Sequence, residues 1–180
     1  MRSGGGTRSN LLLTVAIATT VLLPACRVSD LSFKEDERVE IVSPKDQDKV
    51  ALPFELRWTV KDFEVVGPDG SDSDDAGYFA VLLDESPMPP GEGLDYFARD
   101  DESCDRSAGC PDAQYFAERG IFPTSATSFE VTTIEDTRLT DRQSAPDDHE
   151  LTVILLNGKG ERIGESAFRV DVEVDRGQDS

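Results

Sequence analysis

One histidine, three cysteines and 37 acids are the side chains from which this 180-residue chain would have to build any chemistry. His149 could serve as a general base, and hydrolytic work would need a nucleophile and an orienting acid beside it. Gly164-Glu165-Ser166-Ala167-Phe168 lacks the second Gly of a nucleophile elbow, and Gly158-Lys159 lacks the upstream Gly of a phosphate loop. His149, opening a strand beside Asp147 and Asp148, therefore reads as an exposed residue or a turn partner. Carboxylate pairs are so frequent here that none singles out glycoside hydrolysis. The expectation is a chain that is not an enzyme.

Binding chemistry has more to draw on. Asp69, Asp72, Asp74 and Asp75 in DGSDSDD are candidate oxygen ligands for Ca²⁺. Counted from Asp72, Gly77 takes the sixth place of an EF-hand loop, but Ala76 and Leu83 stand at the fifth and twelfth, so that pattern fails. An irregular calcium site and a solvated acidic loop remain as readings. A second acidic group, Asp100, Asp101, Glu102 and Asp105, surrounds Cys104 and Cys110, with Tyr96, Phe97, Tyr115 and Phe116 on either side. Two Cys without nearby His or further Cys cannot supply the four ligands of a zinc site. An oxidising compartment would join them as a disulfide, closing a short loop for about 2 kcal/mol of mostly local order. Tyr96, Phe97, Tyr115 and Phe116 either form an interface on a displayed loop or cover one open end of the domain.

The compartment is written at the start. Arg2 and Arg8 precede the uncharged run Leu11 to Leu23, too short for a membrane span and suited to a signal peptide. Leu23-Pro24-Ala25-Cys26 resembles the bacterial lipobox, which implies cleavage after residue 25 and lipidation of Cys26. Residues 1–25 then form a lipoprotein signal peptide and 26–37 a lipidated tether. Arg27 stands where Asp would mark inner-membrane retention in many Gram-negative bacteria, which leans toward the outer membrane. The whole chain has a formal charge of −19; without Arg2 and Arg8 the balance becomes −21. So acidic a body opposes nucleic-acid binding and is repelled by anionic headgroups, which leaves acyl chains as the membrane attachment.

Elements to position these groups follow from periodicity. Val39 to Val42 reads as a strand and Lys45 to Lys49 as a turn; Phe54, Leu56, Trp58 and Val60 alternate with polar neighbours, with Phe63 to Val66 as an extension beyond a bend. Tyr78 to Asp84 is apolar on both faces, as for a central covered strand. Periodicity is poor from Gly91 to Gly120 apart from one predicted helix at Pro111 to Arg119. Strand character returns at Ser128 to Ile134 and Leu151 to Leu156. The turn Asn157-Gly158-Lys159-Gly160 follows, and then Phe168, Val170, Val172 and Val174 alternate with charged residues. The fold expected is an all-β, antiparallel sandwich of six to eight strands over 38–176. It would carry a short helix in a disulfide-stapled insertion at about 85–122, with 177–180 as a disordered tail.

VEIVSPKDQDKVALPFELRWTV resembles the opening of bacterial immunoglobulin-like and fibronectin-type modules. With YFAVLLDESPMPPGE and HELTVILLNGKGERIGESAFRVDVEV, the mature chain is similar to secreted bacterial β-domains of unknown function. Those domains carry a His-rich segment before the Leu-Leu-Ile/Val-Asp strand; here Tyr78, Phe79 and Ala80 occupy it and only His149 remains, so the resemblance implies the fold and no ligand set. The expected function is that of a lipid-anchored cell-envelope protein, facing the periplasm or exterior, acting as a non-catalytic binding or structural module toward an envelope protein or polymer. A calcium-dependent adhesion or matrix module is the alternative, and an enzyme on envelope polymers the next.

Overall fold

The computed structural model describes residues 37–134 and 147–175. The expected signal peptide, Cys26 and most of the expected tether, the polar stretch 135–146 and the expected tail at 177–180 lie outside the described residues. Among the described residues the chain forms β1 (Val39–Ser43), β2 (Asp48–Ala51), β3 (Phe54–Val60), β4 (Glu64–Val65) and β5 (Ala76–Leu83). There follow a 3-10 turn (Leu94–Ala98), α1 (Glu102–Asp105), α2 (Ala113–Ala117), β6 (Ile121–Thr124), β7 (Ser128–Val131), β8 (Asp148–Leu156) and β9 (Phe168–Asp175).

Two sheets pack together as a mostly β sandwich, one ordered β1-β3-β7 and the other β2-β9-β8-β5-β4, with β6 also paired to β5. Pairing is not antiparallel throughout. β2 runs parallel to β9, Asp48 opposite Val172 through Ala51 opposite Asp175, and β4 runs parallel to β5. The turn after β1 does not fold the chain back. With Gln47 in the left-handed region at φ 63°, it carries the chain across to the other sheet, where the Gln47 amide donates to Asp171 O and the Asp171 amide to Asp46 Oδ1. Sequence predicted only a turn here because β2 is a four-residue edge with Val50 alone half-buried.

Alternation explains the core between the sheets. Leu56 and Trp58 of β3 face Phe79 and Val81 of β5, Leu151 and Val153 of β8, and the valines of β9. Trp58 meets Phe79 edge-on with ring centroids 5.3 Å apart, a preferred geometry for aromatic pairs. Arg169, Asp171, Glu173 and Asp175 of β9 point to solvent, as the pattern predicts.

The apolar reading of both faces of β5 has an equally direct cause. Its second face, Tyr78, Ala80 and Leu82, joins Ile154 and Leu156 of β8 in a separate outer core, closed by Met88, Ala98, Cys104, Tyr115 and Phe116. Those last five come from the 84–120 connection between β5 and β6, which thus forms a third layer on the larger sheet. The layer contains three short helical pieces rather than the single predicted helix. Each is four or five residues long, and the two α-helical pieces are held by side-chain caps: Asp101 accepts from the Ser103 and Cys104 amides, and Asp112 from the Tyr115 amide. Cys104 and Cys110 lie within disulfide distance, Cα atoms 5.2 Å apart. Arg162 ties the start of the connection down: its guanidinium donates to Met88 O and Glu165 O, while its backbone pairs with Gly91 and Glu92.

Candidate functional site

Three constellations follow from the residues singled out above, and the fold places each differently. The acidic loop is docked on the turn that follows β8. The Gly70 amide donates to Gly158 O at 2.8 Å and the Lys159 amide to Ser71 O at 3.0 Å. Asp69 accepts from the Ser71 amide and Asp72 from Lys159 Nζ at 2.8 Å, and these bonds hold both carboxyls below the usual range. Asp74 offers its backbone oxygen to Arg38 and Asp75 its own to the Glu64 amide. Among the described residues no group of three His, Cys, Asp or Glu is arranged to hold a metal ion.

His149 is not an exposed residue. It is 4% exposed, and its Nδ1 lies 2.7 Å from Oδ2 of Asp84, itself at φ 54° at the end of β5. Asp84 Oδ1 accepts from the Glu150 amide at 2.8 Å, and the Asp84 amide donates to Glu150 O at 2.9 Å. Beside them Glu150, also buried, accepts from Arg169 Nη1 at 2.8 Å. The group clamps the end of β5 to the start of β8. The partners stand 65 positions apart, so no local pattern in the sequence marks the pair.

The third constellation is an open groove of about 460 Å³ on the surface of the outer layer. Tyr96, Phe97 and Tyr115 line it, as do Arg99 and Arg119, two residues the sequence reading did not single out. Phe116 does not; it turns into the outer core. Arg99, following the 3-10 turn, lays its guanidinium 3.8 Å from the Tyr96 ring centroid and donates Nε–H to Asp100 at 3.2 Å. Arg119, just beyond α2, stacks 3.5 Å from the Tyr115 centroid and donates Nη2–H to Asp101 at 2.8 Å. The wall thus carries two copies of one arrangement, a tyrosine ring covered by an arginine that is matched to an aspartate. The i to i+3 and i to i+4 spacings, Tyr96 to Arg99 and Tyr115 to Arg119, are the signal that would have found it.

Asp101 is the hub between the helical pieces. Oδ1 accepts from the Ser103 hydroxyl and from the Ser103 and Cys104 amides. Oδ2 accepts from Arg119, and the Tyr115 hydroxyl lies between Asp101 Oδ2 at 3.2 Å and Phe97 O at 3.1 Å. The Ser103 hydroxyl and then the two amides hold the Asp101 carboxyl at about 2, against an ordinary 3.8. Burial pushes the Tyr115 hydroxyl up, with the Asp101 carboxylate adding to it.

Fold and groove together define a β-sandwich with a polar, aromatic-walled cleft on an added third layer. Compared with protein-family models, curated proteins and solved structures, the chain finds no match.

Proposed function

We propose that the chain is a lipid-anchored cell-envelope protein whose domain is an immunoglobulin-like sandwich. It acts as a non-catalytic binding module, with the groove between Arg99 and Arg119 as its contact site. The observation that carries this reading is the pair of Arg-covered tyrosines walling the groove. Aromatic and arginine side chains held rigid by stacking lose little freedom on contact, which is why such groups dominate recognition surfaces. The immunoglobulin-like assignment is supported by the strand order: β5-β8-β9 matches the C-F-G sheet and β1-β3-β7 the A-B-E strands of that fold. The envelope assignment rests on the signal-like leader, the lipobox-like Leu23 to Cys26, and the Cys104 and Cys110 pair, which belongs to an oxidising compartment.

Two experiments test it. Metabolic labelling with an alkyne fatty acid should mark the wild type and not Cys26→Ala; label retained by the variant refutes the anchor. Photocrosslinking from position 97 in the native envelope should give a discrete adduct that Arg99→Ala diminishes. An adduct pattern indifferent to that substitution refutes the groove as the contact site.

A further inference from the structure

Resting on the reading of the groove as a binding site, we propose that its ligand is a neutral glycan, a chain of uncharged hexose or N-acetylhexosamine units lying between the Arg99–Tyr96 and Arg119–Tyr115 stacks. Charge argues first. Arg99, Arg119 and Arg106 are matched by Asp100, Asp101 and Glu102, so on this rim neither an anion nor a cation meets an unmatched charge, and the −19 of the whole chain opposes an anion further. A cation fares no better. Each tyrosine already has a guanidinium 3.5–3.8 Å from its ring centroid, so one π-face of each, which would otherwise receive an ammonium ion, is taken.

What the groove still offers is unspent hydrogen bonding of both signs. Arg99 gives Nε–H to Asp100 and is also engaged by the Tyr96 side chain, which still leaves most of its five N–H groups for a ligand. Arg119 uses one N–H of each terminal nitrogen and leaves Nε–H and the second N–H of each. Asp100 and Glu102, 89% and 90% exposed, supply acceptors on the same rim. A hydroxyl is at once donor and acceptor, so adjacent hydroxyls on a sugar ring match a wall on which arginine N–H groups alternate with carboxylates. Phe97, half-buried against the outer core and lining the groove, contributes apolar surface of the kind the C–H face of a pyranose packs on. The stacks hold both long arginine side chains in place before any ligand arrives, which lowers the entropic cost of binding.

Calorimetry on the full chain tests this with five probes: cellotetraose, maltotetraose and N-acetylchitotetraose as neutral tetramers, tetragalacturonate as the anionic one, and tetraglucosamine as the cationic one. At least one neutral tetramer should bind, with amide shifts centred on residues 96–103 and 115–119. Arg99→Ala should weaken it roughly tenfold, the loss of hydrogen bonds to a charged donor. Arg99→Lys, which keeps the charge and loses the planar fork, should not restore it. Failure of all three neutral tetramers, tighter binding of a charged one, or indifference to Arg99→Ala overturns the proposal. The crosslinking experiment separates the two levels: an Arg99-dependent envelope adduct without neutral-glycan binding refutes the ligand class alone, and its absence refutes the binding reading itself.

Discussion

Shortening Leu82 to alanine tests whether the third layer is part of the folded unit. Leu82 is fully buried on the outer face of β5, against residues contributed by the 84–120 connection. The substitution deletes three carbons, about 2.4 kcal/mol at roughly 0.8 kcal/mol per buried methylene-sized group. The cavity left behind brings the loss to about 3–4 kcal/mol. For a domain whose total stability is on the order of 5–15 kcal/mol that is a large fraction. With a urea slope of about 2 kcal/mol per molar, the unfolding midpoint should fall by about 1.5–2 M. Trp58 is the only Trp, is buried in the other core against Phe79, and so reports whether damage outside reaches the sandwich. Hydrogen exchange should speed up across 94–119, and should do so less when Val81, the neighbour facing the inner core, is cut to alanine. A midpoint shift below about 0.5 M at unchanged slope, with protection across 94–119 intact, would refute the packing argument.

Three further outcomes follow from particular contacts. The folded Asp101 carboxyl sits at about 2 and the ordinary value is 3.8, so its contribution is present above about pH 4 and is lost as pH falls toward 2. Acid titrations followed by Tyr fluorescence should therefore show a smaller change in that window for Asp101→Asn. Asp84→Ala should destabilise by about 1–3 kcal/mol in urea melts, since it strips partners from a buried imidazole and from the Glu150 amide. Asp84→Asn, which keeps an acceptor for that amide and tolerates a left-handed backbone, should cost less. At Gly158 an added Cβ would lie 1.8 Å from Asp69 Oδ1 and 2.8 Å from the Ser71 amide. Gly158→Ala should thus undock the acidic loop at about 1–3 kcal/mol, seen as faster exchange of the Gly70 and Lys159 amides.

What sequence revealed about this fold tracks where each interaction is local. β3 and β9 were legible because burial on one side leaves a period of two, and β5 because burial on both sides leaves none. The helical pieces of the connection were largely illegible. Four- and five-residue segments have no room for a 3.6-residue period, and their caps and aromatic contacts, not amphipathic faces, decide them. β2 was missed because an edge strand with one half-buried side chain carries no pattern, and its parallel partner lies over 120 positions away. His149 was misjudged for the same reason of distance. Asp147 and Asp148 precede it at the surface end of a strand, whereas its partner in space, Asp84, directly follows another strand. At the groove, Tyr96, Phe97 and Tyr115 were found by type, and Phe116 was grouped with them because adjacency in sequence does not tell that, of two residues both packed on the outer core, only Tyr115 also reaches the groove.

The parallel pairing of β2 with β9 also decides how the domain bears load. One strand lies near the start of the folded chain and the other at its end. A pull that draws the chain entering β1 away from the chain leaving β9 drags these two strands past each other along their length, so the rungs from Asp48–Val172 to Ala51–Asp175 are strained together. A hairpin held at its open end would instead give way one rung at a time, like a zipper. A domain tugged through its two ends thus meets its resistance at a four-residue ladder that looked, by composition, like an unremarked turn.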